Sequence, residues 1–511
     1  MTATQPSAAL SAPAAQTPAT PTPERETFAS LNPATGEEVA SFEIHTEADV
    51  RAAVARAKPA ATWWAELGEP KRRERLRAWR GLLVRRTDEL AGLIARENGK
   101  PVGDAVLEVT IAVAHLSWAA GHARRVLGRR PVVPGLLAIN HTATLEYLPY
   151  GVVGVIGPWN YPVHTPLGSI SYALAAGNAV VFKPSEFTPA IGSWLVDSFA
   201  EVVPEQPVLQ LVTGYGETGA ALCTAGVDKL AFTGSAATGR KVMAACAVNL
   251  TPCVVECGGK DPVIVAADAD LELAADQAVW GAMTNAGQTC AGVERVYVER
   301  AVYPEFTAKV VERASRVRAG EQYGPITMPS QLQVIAGHIG DALDRGGRAL
   351  VGGRDSVQPP YVAPVVLTDV PADSAAATDE TFGPVLVLTE VGDVDEAVAT
   401  ANAGRYGLGA SVFSRHQGSA IARRLDAGMV SINSVLSYAA VPGLPWGGSK
   451  DSGFGRIHGP DGLREFARSR AITSLRLPNP LRLSTFEQSR NAVGRLKQVA
   501  RLRWQGRGTG M

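Results

Sequence analysis

The chain has 511 residues, a length that suits two or three domains, with 46% hydrophobic and 19% charged residues, as expected of a soluble globular protein with a sizeable core. Forty-nine Lys and Arg balance 49 Asp and Glu, so no overall charge draws the chain to nucleic acid or to an anionic membrane. Five cysteines are too few for a disulfide framework, and the odd number leaves at least one thiol free, which suits a reducing, cytoplasmic setting. No Cys or His spacing matches a zinc site, so the sequence predicts no metal.

Residues 1–27 read as a disordered tail rich in Ala, Pro and Thr, with neither the basic start of a secretory signal nor the Arg of a mitochondrial leader. Residues 28–43 alternate as short strands. From Thr46 to about Leu127 the pattern is helical, with Pro59 and the Gly68–Pro70 pair expected to separate a first helix from a long, Arg-rich second one. The stretch Tyr147 to Phe182 lacks Asp, Glu, Lys and Arg, but Pro158, Pro162, Pro166, its Asn residues and His164 make it strand, loop, helix and strand, not a membrane span.

From 151 onward, strands at 152–156, 179–182, 208–212, 229–232 and 252–256 alternate with helices near 166–176, 188–201, 216–225 and 236–247. Nearly continuous apolar strands alternating with helices predict a parallel sheet covered on both faces, with ligands at the strand carboxyl ends. A second α/β block over 258–450 has predicted strands near 262–265, 294–298, 348–351, 384–390, 410–413 and 429–432. The tail 481–511 carries seven Lys or Arg from Arg482 to Arg507 against the single acid Glu487. It reads as a solvated, partly disordered extension; the alternative is a helix that meets a membrane or a partner.

Four loops at predicted strand ends carry chemistry. In Pro158-Trp159-Asn160-Tyr161-Pro162, a stiff loop presents an Asn amide that could serve as an oxyanion donor; taken alone it is also a plain Pro-rich turn. In Lys183-Pro184-Ser185-Glu186, the acid could accept ribose hydroxyls and repel a 2′-phosphate, or merely start a helix. Gly234, Ser235 and Thr238 open a helix whose N–H groups suit a pyrophosphate, without matching GxGxxG or a Walker loop. Glu256-Cys257-Gly258-Gly259-Lys260 and Asn285-Ala286-Gly287-Gln288-Thr289-Cys290 supply a base and a nucleophile for thioester chemistry, although a lone Cys is more often a small buried hydrophobe.

Together, PWNYP at 158–162, KPSE at 183–186, FTGS at 232–235, ECGGK at 256–260, NAGQTC at 285–290, DETFGP at 379–384 and PWGGSKDSGFGR at 445–456 resemble the aldehyde dehydrogenase superfamily, in the family's order and over residues 28–476. The resemblance implies two Rossmann-type parallel-sheet α/β domains with a small β oligomerisation arm. The NAD-binding domain would comprise 28–130 and 150–257, the catalytic domain 258–450, and the arm 131–149 and 466–480 of a homodimer or homotetramer.

The resemblance also implies roles. Cys290 is the nucleophile, Glu256 the base that hydrolyses the thioester, and Asn160 with the Cys290 N–H the oxyanion hole. Lys183, Ser185 and Glu186 would hold the adenosine ribose, and Gly234, Ser235 and Thr238 the pyrophosphate. Glu380, Phe382 and Trp159 would contact the nicotinamide half, with Lys260 structural. Tyr161, Thr165, Gly168, Thr284 and Trp446 would line the aldehyde tunnel. These imply oxidation of an aldehyde to an acid with NAD. The small residues at 165, 168 and 284 and the absence of a tunnel Arg favour a medium or large apolar or aromatic aldehyde over succinate semialdehyde. A non-catalytic structural homologue would not need the intact Asn160, Glu256 and Cys290. Cys257, where the family usually has Leu, reads as a buried substitute or as a redox partner of Cys290.

Overall fold

The computed structural model describes residues 25–478, 485–487 and 490–504. Residues 1–24 of the expected tail lie outside this range. The expected boundary at 27 is corrected, because Arg25 pairs with Glu43 and the strand Thr27–Leu31 begins inside the tail. That strand pairs antiparallel with Glu38–Glu43.

Four helices follow: Glu47–Glu66, Gly68–Arg85, Thr87–Glu97 and Val102–Leu127. The first is capped by Thr46, whose hydroxyl accepts the Asp49 N–H while the Asp49 carboxylate accepts the Thr46 N–H. Contrary to expectation, Pro59 does not divide it. Proline removes one helical hydrogen bond, but Ala57, Ala60, Ala61 and Trp64 on either side are buried, and that packing holds the helix together. Val102–Leu127 is the one described helix long and apolar enough to cross a membrane. In the fold it packs against Gly68–Arg85, Thr87–Glu97 and His164–Ala176.

The first large sheet has six strands in the order Gly453–Phe454, Cys253–Cys257, Lys229–Gly234, Val152–Ile156, Ala179–Lys183 and Leu209–Leu211. All neighbours are parallel except Gly453–Phe454, which runs antiparallel to Cys253–Cys257. The β-branched runs VVGVI and AVVFK are almost wholly buried, as a sheet covered on both faces requires. Because four adjacent strands are parallel, the loops PWNYP, KPSE, FTGS and ECGGK all leave the same edge.

The second sheet has seven strands in the order Arg348–Val351, Val365–Thr368, Val385–Val391, Val293–Glu299, Asp261–Val265, Gly409–Phe413 and Met429–Ile432. Sequence reading missed Val365–Thr368, although its run VVLT is fully buried. In a third sheet, His141–Pro149 lies between Ala467–Leu475 and Arg130–Val132, antiparallel to both. The division at 450 is incomplete. Beyond it, Gly453–Phe454 joins the first sheet, and helix Gly459–Glu465 packs on Val102–Leu127 and His164–Ala176. In the basic tail, Arg490–Trp504 is helical despite Gly494, and most of its residues are exposed.

Trp79 is fully buried, donates its indole N–H to Ser198 at 2.9 Å and meets Phe199 edge to face. Trp79→Ala should lower unfolding stability in denaturant titrations by about 3–5 kcal/mol. Val84→Ala, at an exposed position of the same helix, should stay within about 0.5 kcal/mol.

Candidate active site

Two cavities meet at Cys290. The first, of about 230 Å³, is bordered by Trp159, Asn160, Gly234, Ser235, Glu380 and Phe382 among others. The second, of about 270 Å³, is bordered by Tyr161, Thr165, Thr284, Leu436 and Trp446 among others. Cys290 lines both.

The loop that delivers Cys290 is held open by its backbone. Asn285, Ala286 and Gly287 take φ values of 53°, 57° and 73°, three consecutive left-handed residues. At Gly287 a Cβ would lie 2.1 Å from the Gly383 carbonyl oxygen, so only glycine fits. Asn285 Nδ2 donates to the backbone oxygens of Asn160 at 3.0 Å and Gln288 at 3.1 Å. Asn160 Nδ2 in turn donates to Gln288 O at 3.0 Å, leaving its second amide hydrogen for the cavity.

Buried ion pairs brace both sides. Lys100 pairs with Glu108 and donates to Asn160 O at 3.0 Å, while Glu108 accepts the N–H groups of Val163 at 2.8 Å and His164 at 3.0 Å. Lys260 pairs with Glu294, whose carboxylate accepts the N–H groups of Thr381 and Phe382 and so positions the Glu380–Phe382 turn. Lys260 thus has the structural role expected of it. Sequence reading missed Lys100, Glu108 and Glu294. Glu108, a carboxylate deep in an apolar helix, was the available signal.

Glu256 sits 3.7 Å from Cys290 Sγ, which donates to its Oε1, and Trp446 Nε1 donates to the same oxygen at 2.6 Å. Burial pushes the Glu256 carboxyl up to about 7, against the hydrogen bonds from Trp446 and Cys290. Burial, with the carboxylates of Glu256, Asp261 and Glu380 nearby, raises the Cys290 thiol well above its ordinary range. Trp446 is therefore both a wall of the second cavity and the partner that fixes Glu256.

Glu380 is the clearest unfilled acceptor in the first cavity. Burial pushes its carboxyl up to about 8, and its buried Oε1 has no hydrogen-bond partner. At Gly258 a Cβ would lie 1.7 Å from that oxygen, so glycine is what lets the carboxylate in. Phe382, at φ 51°, meets Trp159 edge to face at 5.5 Å. Ser235 caps the helix Ala236–Val248, accepting the Thr238 N–H. A ribose hydroxyl for Glu380, a helix start beside Gly234 and an aromatic wall fit a dinucleotide.

Lys183, Ser185, Glu186 and Thr238 do not line this cavity. They stand on the neighbouring strand end and in the first helical turn, along the same edge of the sheet. The cavity also includes Met328, Gln331 and Val334, which no motif announced. Cys257 borders it too, but its Sγ packs against the helix, 2.9 Å from where a Gly239 Cβ would be, and burial pushes its thiol up to about 12.

Gly168 is a correction: it does not face the second cavity. It shares a helix face with Thr165, but the His458 ring covers it: a Cβ there would come within 2.5 Å of Nε2.

Comparison with known proteins decides the family. The aldehyde dehydrogenase family matches residues 20–472. This chain belongs to the aldehyde dehydrogenase family. Among aldehyde dehydrogenase relatives, the 4,4'-diapolycopene aldehyde oxidase of Methylomonas sp. is 37% identical over 86% of this chain and 84% of its own. A Mycobacterium tuberculosis protein, provisionally named a succinate-semialdehyde dehydrogenase using NADP(+), is 36% identical over 87% of this chain and 88% of its own. The crystal structure of an NAD-dependent aldehyde dehydrogenase from Sinorhizobium meliloti superposes with a TM-score of 0.85 at 32% identity, covering 89% of this chain and 93% of that one.

Glu256 near pH 7 gives Cys290 a pH-dependent proton acceptor. As pH rises through about 7, Glu256 ionises and can take the thiol proton. Alkylation of Cys290, followed by mass spectrometry of its peptide, should therefore rise through an inflection near pH 7 that is lost in Glu256→Gln.

Proposed function

We propose that this chain is an NAD-dependent dehydrogenase that oxidises a medium or large apolar or aromatic aldehyde to its carboxylic acid. The observation that carries the reading is that a single thiol, Cys290, borders both the first cavity, with the open carboxylate of Glu380, and the second, mostly apolar one, with Glu256 3.7 Å away.

In this reading Glu256 takes the Cys290 proton, and Sγ bonds to the aldehyde carbon. The carbonyl oxygen becomes an oxyanion that accepts hydrogen bonds from the free Asn160 amide hydrogen and the Cys290 N–H. Bound NAD supplies the hydride acceptor of the oxidation. Trp446 keeps Glu256 in the cleft during this stage. After passing the thiol proton to solvent, Glu256 takes a proton from water, the water oxygen bonds to the acyl carbon, the C–S bond breaks, and the departing Cys290 sulfur recovers that proton from Glu256 as the acid leaves. Glu380, Phe382 and Trp159 would hold the nicotinamide half, and Lys183, Ser185 and Glu186 the adenosine ribose.

Substrate and cofactor choice rest on the walls. Leu107, Ile111, Trp280, Val435, Leu436 and Trp446 line the second cavity. Its one Lys, Lys100, is neutralised by Glu108, so no free cation awaits a second carboxylate. That favours an uncharged aldehyde over succinate semialdehyde, and the similarity to an enzyme named for 4,4'-diapolycopene aldehyde points the same way. Glu186 favours NAD, since a 2′-phosphate would meet its carboxylate. The NADP-using mycobacterial relative supports the second reading, an NADP-dependent semialdehyde enzyme. A cytoplasmic homo-oligomer built through the sheet containing Ala467–Leu475 completes the proposal.

One panel decides between the readings. NADH or NADPH formation with hexanal, octanal, benzaldehyde, acetaldehyde and succinate semialdehyde should give the highest kcat/KM for a larger apolar aldehyde with NAD, and Glu186→Gln should narrow the preference for NAD. First rank for succinate semialdehyde with NADP would establish the second reading.

Glu256→Gln should stall after acyl transfer to Cys290, giving a burst of about one NADH per site and then turnover slowed by about 10²–10⁴-fold. The acyl adduct should be visible by mass spectrometry. Cys290→Ala should show neither burst nor turnover.

A further inference from the structure

Behind the second cavity, three histidines far apart in sequence converge. His115 lies midway along Val102–Leu127, His164 opens His164–Ala176, and His458 precedes Gly459–Glu465. The ring centroids of His115 and His458 are 3.7 Å apart, those of His115 and His164 5.3 Å, and those of His164 and His458 5.6 Å. Each ring brings a nitrogen within 4.8 Å of the other two. No other described group of His, Cys, Asp and Glu does this.

The environment differs from that of ordinary core histidines. Three buried ring nitrogens have no hydrogen-bond partner: His115 Nδ1, His164 Nδ1 and His458 Nε2. His115 and His458 are 1% and 2% exposed. Buried imidazole nitrogens normally find donors or acceptors, so three unpaired ones in one cluster mark a place prepared for a guest. The tautomer of His115 is fixed from behind. Its Nε2 lies 2.8 Å from the Ala439 carbonyl, which can only accept, so the proton is on Nε2 and Nδ1 carries the free lone pair. Gly168 keeps the space by His458 Nε2 clear, since a Cβ there would stand 2.5 Å from it. Burial lowers the pKa of all three rings, that of His164 to about 3, so they are neutral at physiological pH.

We propose that His115, His164 and His458 form a binding site for one divalent transition-metal ion of the zinc class, reached through the second cavity. The donor set is three nitrogens with no carboxylate or thiolate, which suits Zn2+, Co2+, Ni2+ or Cu2+ and not Mg2+ or Ca2+. His115, with its N–H on a backbone carbonyl, has the support that metal-ligating imidazoles receive. His164 lines the cavity and gives the ion its path from solvent and an open coordination position. The site adjoins the reaction chemistry without sharing its residues. His164 and His458 pack against Trp446, with ring centroids at 6.3 and 6.2 Å, and Trp446 holds Glu256.

The test is Co2+ titration of the full, tag-free protein after chelator treatment, followed by visible absorption. The expected result is saturable binding of one Co2+ per chain, with nitrogen-ligand visible bands and no near-ultraviolet thiolate band. Zn2+ should displace the ion, Mg2+ should not, and binding should persist in Cys290→Ser. His164→Gln, at a half-buried helix start, and His458→Gln, in the buried core, should each weaken binding at least about 10-fold. Circular dichroism checks the fold of both, and His164→Gln alone suffices should His458→Gln misfold. Absence of stoichiometric binding, binding indifferent to a folded His164→Gln, or a thiolate band that Cys290→Ser abolishes would each overturn the proposal. None of these readouts depends on which aldehyde or dinucleotide the enzyme uses.

Discussion

The site rests on an exchange of hydrogen bonds between two loops. Asn160, which follows a strand of the first sheet, donates its side-chain amide to Gln288 O, and Asn285, which precedes a strand of the second, donates its own to Asn160 O. Each loop satisfies the other's backbone, so neither can move without exposing a buried carbonyl, and an unpaired buried carbonyl costs about 1–3 kcal/mol. This clasp is what places a thiol from one α/β unit beside a carboxylate from the other. The Lys100–Glu108 and Lys260–Glu294 pairs sit one layer behind it, fixing the loop ends. Buried ion pairs seldom add net stability; here they buttress geometry, because each carboxylate also accepts two backbone N–H groups.

Glu256 and Glu380 show how one cleft asks different things of two carboxylates. Both are buried and both titrate above their ordinary range. Glu256 is tied by Trp446 and faces the thiol, whereas Glu380 keeps an unpartnered oxygen that faces the first cavity. Identical side chains are thus given different surroundings, one carboxylate engaged by an indole and a thiol and the other left open to a cavity.

The first sheet was legible because its strands are buried on both faces and read as nearly continuous apolar runs between helical stretches. Strands 152–156 and 429–432 coincide with the predicted ranges, and 179–183 and 229–234 extend theirs by one and two residues. Short or context-dependent pieces were not legible. Pro59 looks like a break until its buried neighbours are known, and Gly453–Phe454, only two residues long, joins a sheet whose other strands span residues 152 to 257. In the site, motifs led to Cys290, Glu256 and Asn160. The ion pairs, the wall residues Met328, Gln331 and Val334, and the histidine cluster are tertiary: nothing in the spacing of 115, 164 and 458 brings those positions together. Gly168 shows the converse, a residue given a role by its neighbours in sequence that the covering ring of His458 denies it.

The protonated state of Cys290 has a consequence for the life of the protein between turnovers. Peroxide and other oxidants attack thiolate, and the first product, a sulfenic acid, can pass on to states that are not reversed. Burial and three neighbouring acids keep the Cys290 proton in place, so the idle molecule carries little of the vulnerable form. Burial, the largest influence on the thiol, in this way holds down the reactivity of that sulfur toward oxidants.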